Sequence, residues 1–430
     1  MNIDIYIGNC LETLQKIDDQ SVNTCITSPP YWGLRDYGTA EWEGGDPNCD
    51  HKVGRETRGG LSDKQKTTKG SFGDEAIKNN QPCPKCGAIR KDSQLGLENT
   101  PEEFVENLVK VFREVKRVLK DDGTVWLNLG DSYSSGGRTT TTNQTLRGDK
   151  NYGVTRPKPS EGIKPKDLIG IPWRVALALQ ADGWYLRQDI IWHKPNPMPE
   201  SVKDRCTKAH EYIFLLSKNV KYYFDYESIK EDAVGNSPNN KKPHKHQGQP
   251  FSRTKENLVN IQAVEKRNKR SVWTVTTKPF KGAHFATFPM DLIEPGVLAG
   301  CPEKICVDCN TPYVRQVESR RFKRNDLPKD DPRYRPNTYD GSYKNINGKA
   351  DAGYTETKDL GLQKQCDCNT NETKAGTVLD PFGGSGTTAI VANKHNRNAV
   401  LCELNEEYVG IAKERITNTL GMMASIKEIR

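Results

Sequence analysis

Thr27-Ser28-Pro29-Pro30-Tyr31-Trp32 sets a hydroxyl, two prolines and an aromatic ring at the end of an apolar segment. These types suit the capture of a planar amino group. Ser28 Oγ and the Pro29 carbonyl can each accept an N–H, Pro29 and Pro30 stiffen the loop, and Tyr31 offers a face for stacking. Stiffness matters because a displacement of ~1 Å can cost ~100-fold in rate. Taken alone, Ser-Pro-Pro-Tyr also reads as a strand-ending turn. Near the other end, Val378-Leu379-Asp380-Pro381-Phe382-Gly383-Gly384-Ser385-Gly386-Thr387-Thr388 has the composition of a strand-to-helix loop that cradles a nucleotide-like ligand. Glycines let backbone approach a ligand, and a helix N-terminus favours negatively polarised groups. A phosphate loop would end in Gly-Lys-Ser/Thr, and no Lys follows these glycines. Asp380, Phe382, Gly384, Gly386 and Thr387 are the candidate contacts. Glu403 ends the apolar run Asn398 to Cys402, about 20 residues beyond the loop, where an acid can bind ribose hydroxyls. Such an acid can also be only a helix cap.

Two cysteine sets carry metal-ligand spacing. Cys49-x-His51 and Cys83-x-x-Cys86 bracket one polar stretch; Cys306-x-x-Cys309 and Cys366-x-Cys368 bracket another, with Cys301 as an alternative ligand. Four such ligands suit a tetrahedral structural zinc, which can supply folding free energy where apolar burial is scarce. Cys10, Cys25, Cys206 and Cys402 stand singly and read as packing residues.

The elements that would position these residues alternate between strand and helix. Ile3 to Ile7 and Ser21 to Thr27 read as strands. Thr100-Pro101-Glu102-Glu103 opens a helix with a capping box, and Phe104, Leu108, Phe112, Val115 and Leu119 mark its apolar face. Asp121-Asp122-Gly123 then turns into the strand Thr124 to Leu129. Trp173 to Ala181 reads as helix, Arg187 to Trp192 and Tyr212 to Leu216 as strands, and Thr387 to Asn393 as helix. Helices alternating with apolar strands predict a parallel α/β sheet.

The chain has 430 residues, of which 34% are hydrophobic, and carries 64 Lys+Arg against 56 Asp+Glu. That length allows one large α/β domain with polar insertions. The net charge of +8 is compatible with nucleic acid without requiring it. Neither a membrane-spanning run nor a secretory leader is apparent, so a cytoplasmic protein is expected. The twelve cysteines then favour metal ligation over disulfides.

The clamp and the cofactor loop, in that order, resemble those of S-adenosylmethionine-dependent amino-group DNA methyltransferases of the circularly permuted β class, the N4-cytosine/N6-adenine family. The resemblance covers most of the chain outside the polar insertions. It implies a Rossmann-like fold, a mostly parallel seven-stranded sheet with helices on both faces. It further implies that the loop from Asp380 to Gly386 holds the methionine part of S-adenosylmethionine, that Glu403 takes the ribose, and that Gly8-Asn9-Cys10 borders the adenine. The family usually carries Asp where this chain has Asn9. His284-Phe285-Ala286-Thr287-Phe288-Pro289 resembles the lead-in to the cofactor loop. Trp192-His193-Lys194-Pro195-Asn196 and His210-Glu211-Tyr212-Ile213-Phe214 resemble the surroundings of a base pocket.

On this reading residues 1–37 and 97–217 form the catalytic half of the domain, and 38–96 an insertion with a zinc knuckle. Residues 218–280 form a target-recognition region, and 281–430 the cofactor half, with a second zinc insertion at 301–368. Asn239 to Arg270 carries nine Lys/Arg against two Glu, with His244 and His246, and could neutralise phosphates. A base inside a duplex cannot reach such a clamp, so base flipping is implied.

Ser at the first clamp position is commonest among N4-cytosine enzymes, so N4 of cytosine is preferred over N6 of adenine. The same chemistry on RNA or a protein amide, and an inactive zinc-containing DNA-binding protein, are the alternatives. A C5-cytosine mechanism is disfavoured because the Cys of Pro82-Cys83 belongs to a CxxC pair. The partners implied are double-stranded DNA and no membrane, with a homodimer and a cognate restriction endonuclease left open.

Overall fold

The structure is a computed structural model that describes residues 1–33, 39, 41–51, 82–134, 163–232, 266–278, 287–322, 328, 330, 354–421 and 424–430. The described chain forms two compact units. One comprises Met1–Tyr223, Ser271–Cys301 and Thr377–Arg430; the other comprises Phe224–Arg270 and Pro302–Gly376.

The larger unit begins with β1 (Asn2–Ile7), α1 (Cys10–Gln15) and β2 (Val22–Thr27). A short ladder, β3 (Glu41–Glu43) and β4 (Ile89–Lys91), precedes α2 (Pro101–Val118) and β5 (Leu119–Leu129). Next come α3 (Ile171–Ala181), β6 (Tyr185–His193) and β7 (His210–Ser217). The smaller unit supplies β8 (Glu231–Asp232) and β9 (Lys266–Arg267) before the chain returns through β10 (Val272–Thr274) and α4 (Met290–Gly300). The smaller unit resumes with β11 (Ile305–Cys306), β12 (Val314–Phe322), β13 (Tyr354–Gln363) and β14 (Thr373–Lys374). The larger unit closes with β15 (Thr377–Asp380), α5 (Thr387–Lys394), β16 (Asn398–Glu403), α6 (Glu406–Leu420) and β17 (Ser425–Ile429).

The main sheet has nine described strands in the order β10-β6-β7-β5-β2-β15-β16-β1-β17. The seven expected strands are its interior. The two additional ones, β10 and β17, pair along the edges, parallel to β6 and β1. Antiparallel pairing among these strands is confined to β7, against β5 and β6. Strand alternation assigns the faces. Cys25, Val125 and Leu127 join the buried cluster with Phe104, Leu108, Phe112 and Val175 of α2 and α3. Ile26 and Trp126 turn the other way and lie within 3.3 Å of where a Cβ on Gly296 of α4 would be.

The start of α2 follows from its sequence. Thr100 Oγ1 accepts from the Glu103 amide at 3.2 Å, Pro101 occupies the first turn, and Glu103 Oε2 accepts from the Asn99 amide at 3.1 Å. Leu119, placed by its spacing on the helix face, instead begins β5. Asp121-Asp122-Gly123 lies inside that strand as an irregularity where the register against β2 shifts.

The sheet topology creates the crevice. From β2 the chain crosses through α2 to β5 on one side, and from β15 through α5 to β16 on the other. The connections diverge between adjacent strands β2 and β15, and at such a switch point the carboxyl ends of the strands open a cleft. Ser28 follows β2 and Asp380 ends β15, so the two motifs from opposite ends of the sequence meet there.

Candidate active site

A cavity of about 350 Å³ occupies this switch point. Ser28, Pro29, Pro30 and Tyr31 line one part of it. Asn9, Cys10, Asp380, Phe382, Gly384, Thr387 and Glu403 line another. Gly386 lies just behind, at the helix start. Every clamp and cofactor-loop candidate read from the sequence therefore falls at or beside one cavity.

The cofactor loop is shaped by glycine geometry. Gly384 and Gly386 have φ of +48° and +75°, which disfavours side chains, and a Cβ on Gly386 would sit 3.0 Å from Ile416 of α6. Two carboxylates then hold the loop through its backbone amides. Asp380 is buried and accepts from Thr27 Oγ1 at 2.6 Å, Thr388 Oγ1 at 2.7 Å and the Phe382 amide at 3.1 Å. Its carboxylate is thus a pin between the end of β2 and the start of α5. Burial pushes its pKa up to about 7. Glu403 accepts from the Gly384 amide at 2.7 Å and the Asn405 amide at 2.9 Å, and burial raises its pKa too. Asn9 caps α1 through Leu11, with Oδ1 accepting at 2.9 Å. Burial raises the Cys10 thiol to about 12, which keeps it protonated and a poor nucleophile at neutral pH.

The clamp is held by side chains from other strands. Tyr31 Oη lies 2.9 Å from Glu211 Oε2 and 3.1 Å from Asn128 Oδ1, with its single proton shared between these acceptors, and it accepts from Ser28 Oγ at 3.4 Å. The Tyr31 ring lies flush against Gly130, whose Cβ would meet it at 2.5 Å. Glu211 also pairs with Lys194, which sits 4.1 Å from the centroid of the Trp192 ring. Trp192, Lys194, Glu211 and Asn128 all line the cavity.

Asn128, Asn405 and Tyr408 line the cavity as well, and the sequence did not single them out. Asn128 carried a legible signal, because it is a buried polar residue within the apolar strand Thr124 to Leu129. Arg415 carried none. It reaches back from α6 to donate to Ser385 Oγ and Thr387 Oγ1, both at 2.7 Å, and so braces the loop.

Both cysteine sets converge. Cys49, His51, Cys83 and Cys86 form one group in the larger unit, and Cys306, Cys309, Cys366 and Cys368 form one in the smaller; each has its ligand atoms within 4.8 Å of one another. These donor sets fit tetrahedral zinc. Cys301 is not part of the second group; it caps α4, buried in the larger unit. Cys206 is exposed rather than packed.

Of the basic stretch, 239–265 lies outside the described residues, as do His284, Phe285 and Ala286. Arg267 and Arg270 each pair with Glu231, at 3.0 and 2.7 Å, which occupies part of the charge offered to phosphates. No helix among the described residues is long and apolar enough to cross a membrane.

Residues 22–309 and 343–414 match the profile of the DNA methylase family that acts at N6 and N4 amino groups. The chain is also 37% identical over 415 residues to the type II methyltransferase M.SmaI of Serratia marcescens, covering 96% of this chain and 90% of that protein. The chain belongs to this DNA methylase family. A second relative, the type II methyltransferase M.Cfr9I of Citrobacter freundii, is 35% identical, covering 98% of this chain and 91% of that protein. Among solved structures, PvuII DNA methyltransferase, a cytosine-N4-specific enzyme, aligns at 14% identity and a TM-score of 0.45, covering 99% of this chain and 95% of the other.

Proposed function

We propose that this DNA methylase takes its methyl group from S-adenosylmethionine and delivers it to N4 of a cytosine flipped out of duplex DNA. One observation carries the reading: the Ser28–Tyr31 loop and the Gly384–Glu403 region open onto the same cavity. The residues present fit the cofactor, since the buried Asp380 and the half-buried Glu403 line the cavity beside a glycine loop whose backbone they bind. When bound, S-adenosylmethionine supplies an activated methyl on a cationic sulfonium.

The chain's own groups do the rest. The exocyclic amine is a poor nucleophile because its lone pair is delocalised into the ring. Ser28 Oγ and the Pro29 carbonyl accept its two N–H bonds, which turns the lone pair toward the methyl donor. Tyr31 is held by Asn128 and Glu211, so the loop keeps its place as the base enters. The carboxylates at the cavity are already engaged: Asp380 by two threonines, Glu403 by backbone amides, Glu211 by Lys194 and Tyr31. The excess proton of the methylated amine therefore passes to water.

The preference for cytosine rests on Ser28. We also assign the enzyme to a restriction-modification pair in the cytoplasm, on the strength of its type II relatives. Transfer of labelled methyl from S-adenosylmethionine to mixed-sequence duplex DNA, with nucleoside mass analysis, tests the proposal. N4-methylcytosine is expected. N6-methyladenine would overturn the choice of base while leaving the clamp, and label in RNA but not DNA would overturn the substrate.

A further inference from the structure

Cys49, His51, Cys83 and Cys86 have no place in methyl transfer, yet they lie next to the cavity in the chain. β3 and β4 pair antiparallel, Trp42 opposite Arg90, and bring the two ligand pairs together. Cys49 Sγ and Cys83 Sγ are 3.9 Å apart, and Cys86 Sγ lies 3.5 Å from His51 Nδ1. A tetrahedral ion with Zn–S bonds of ~2.3 Å would separate two sulfurs by roughly 3.8 Å. The supports of the site are already built. The His51 ring stacks on Trp42, centroids 4.0 Å apart and planes within 8°, while the Gly87 amide donates to the Cys83 carbonyl at 2.8 Å. Little apolar surface is buried here, with Cys83 and Ala88 at the centre and Trp42, Cys49 and Cys86 against them. So small a core cannot offset the entropy of ordering these loops, and metal binding can.

The segment after β4 forms a wall of the cavity. Ser93, Gln94 and Leu95 line it directly. Asp92, whose side chain is fully buried, anchors them: it accepts from Arg90 Nη2 at 2.7 Å, Thr39 Oγ1 at 2.9 Å and the Gln94 amide at 3.0 Å. The wall then grips the far side of the clamp loop, where the Gly33 amide donates to the Gly96 carbonyl at 2.8 Å and Trp32 Nε1 to the Glu98 carbonyl at 2.9 Å.

We propose that zinc bound by Cys49, His51, Cys83 and Cys86 is a structural part of the base pocket, holding the wall from Asp92 to Gly96 against the clamp loop. Naming the cavity a base pocket rests on the function proposed above; the ion and the wall it holds do not. The test uses the whole 430-residue chain, with metal analysis and peptide-level amide exchange as readouts besides activity. Wild-type protein should carry zinc in both cysteine groups, and Cys86→Ser should lose the zinc of the first. In that variant, exchange in peptides spanning 30–33 and 92–96 should rise by at least ~10-fold, while peptides from α5 and β16 stay protected. Cys86→His, which keeps four ligands, should restore both zinc and slow exchange. If Cys86→Ser does not fold, chelation of the wild-type protein is read in the same two ways.

Wild-type protein that carries no zinc, and takes up no cobalt with the visible bands of thiolate coordination, would overturn the site. Loss of zinc with unchanged exchange at 92–96 would overturn its role in the wall. Failure of methyl transfer alone, with zinc and exchange as expected, would count against the proposed function and leave the zinc inference standing.

Discussion

The two loops at the switch point are built on different principles. The cofactor loop is held by local backbone geometry and by the carboxylates of Asp380 and Glu403 at the ends of adjoining strands β15 and β16. The clamp loop depends on side chains from far away in sequence: Asn128 from β5, Lys194 just after β6, and Glu211 from β7. On the function proposed above, one loop would meet a cofactor of constant shape and the other a nucleotide, and the second is steadied by a side-chain network around Tyr31. Changes in the first loop should therefore act on cofactor affinity and stability, and changes in the second on turnover.

Ser28→Ala separates the two most sharply. Removing one acceptor at the amine should lower the turnover number by about 100- to 1000-fold, as loss of a single preorganised polar contact does elsewhere, with S-adenosylmethionine affinity unchanged by equilibrium titration. Weakened cofactor binding of the same size would erase the distinction between the loops. Gly386→Ala should do the reverse. The φ of +75° and the approach of Ile416 together cost about 1–3 kcal/mol, seen as a lowered Tm and cofactor affinity reduced by about tenfold or more.

A pH effect sharpens the picture of the cofactor loop. Burial raises Asp380 to about 7 and raises Glu403 as well. Because these folded-state values lie above those of the unfolded chain, the protonated carboxyls favour folding at low pH. That contribution is lost as pH rises from near 4 through about 7. Both carboxylates line the cavity, so a cationic cofactor bound there would favour their ionised forms, and binding should release protons and tighten as pH rises toward 8. Calorimetry in buffers of different ionisation enthalpy should show that release in the wild type and a smaller one in Asp380→Asn. Equal release in both would mean that Asp380 does not change its protonation state on binding. The smallest effect is expected from Tyr31→Phe. Loss of the hydroxyl that joins Asn128 to Glu211 should reduce turnover by about tenfold without altering cofactor affinity, as measured by single-turnover methyl transfer.

Much of the site was legible because its motifs are local. The run Ser28–Tyr31, the glycines from 383 to 386 and the spacing to Glu403 each need particular residue types within a few positions of one another. The cap of α2 and the ends of β16 were readable for the same reason. Asn128 was readable in principle, since a polar residue in a buried strand asks for a partner. The missed parts are those whose meaning depends on a distant element. Nothing near Arg415 announces a brace for Ser385, and nothing near Lys194 names Glu211 as its partner. Leu119 fits a helical face by spacing, yet the need to pair with β2 draws it into a strand.

The sequence by itself determined the chemistry on offer: an acceptor pair stiffened by prolines, a glycine loop before a helix, and thiols at metal-ligand intervals. Residue type and short-range spacing suffice for these, because they follow from bonding and backbone sterics within one loop. Only the tertiary structure decided that the clamp and the cofactor loop share a cavity, that Asp380 joins β2 to α5 rather than standing open, and that the first cysteine knuckle leads into the cavity wall. Those outcomes depend on strand order, and strand order is set by which buried faces pair across the whole sheet.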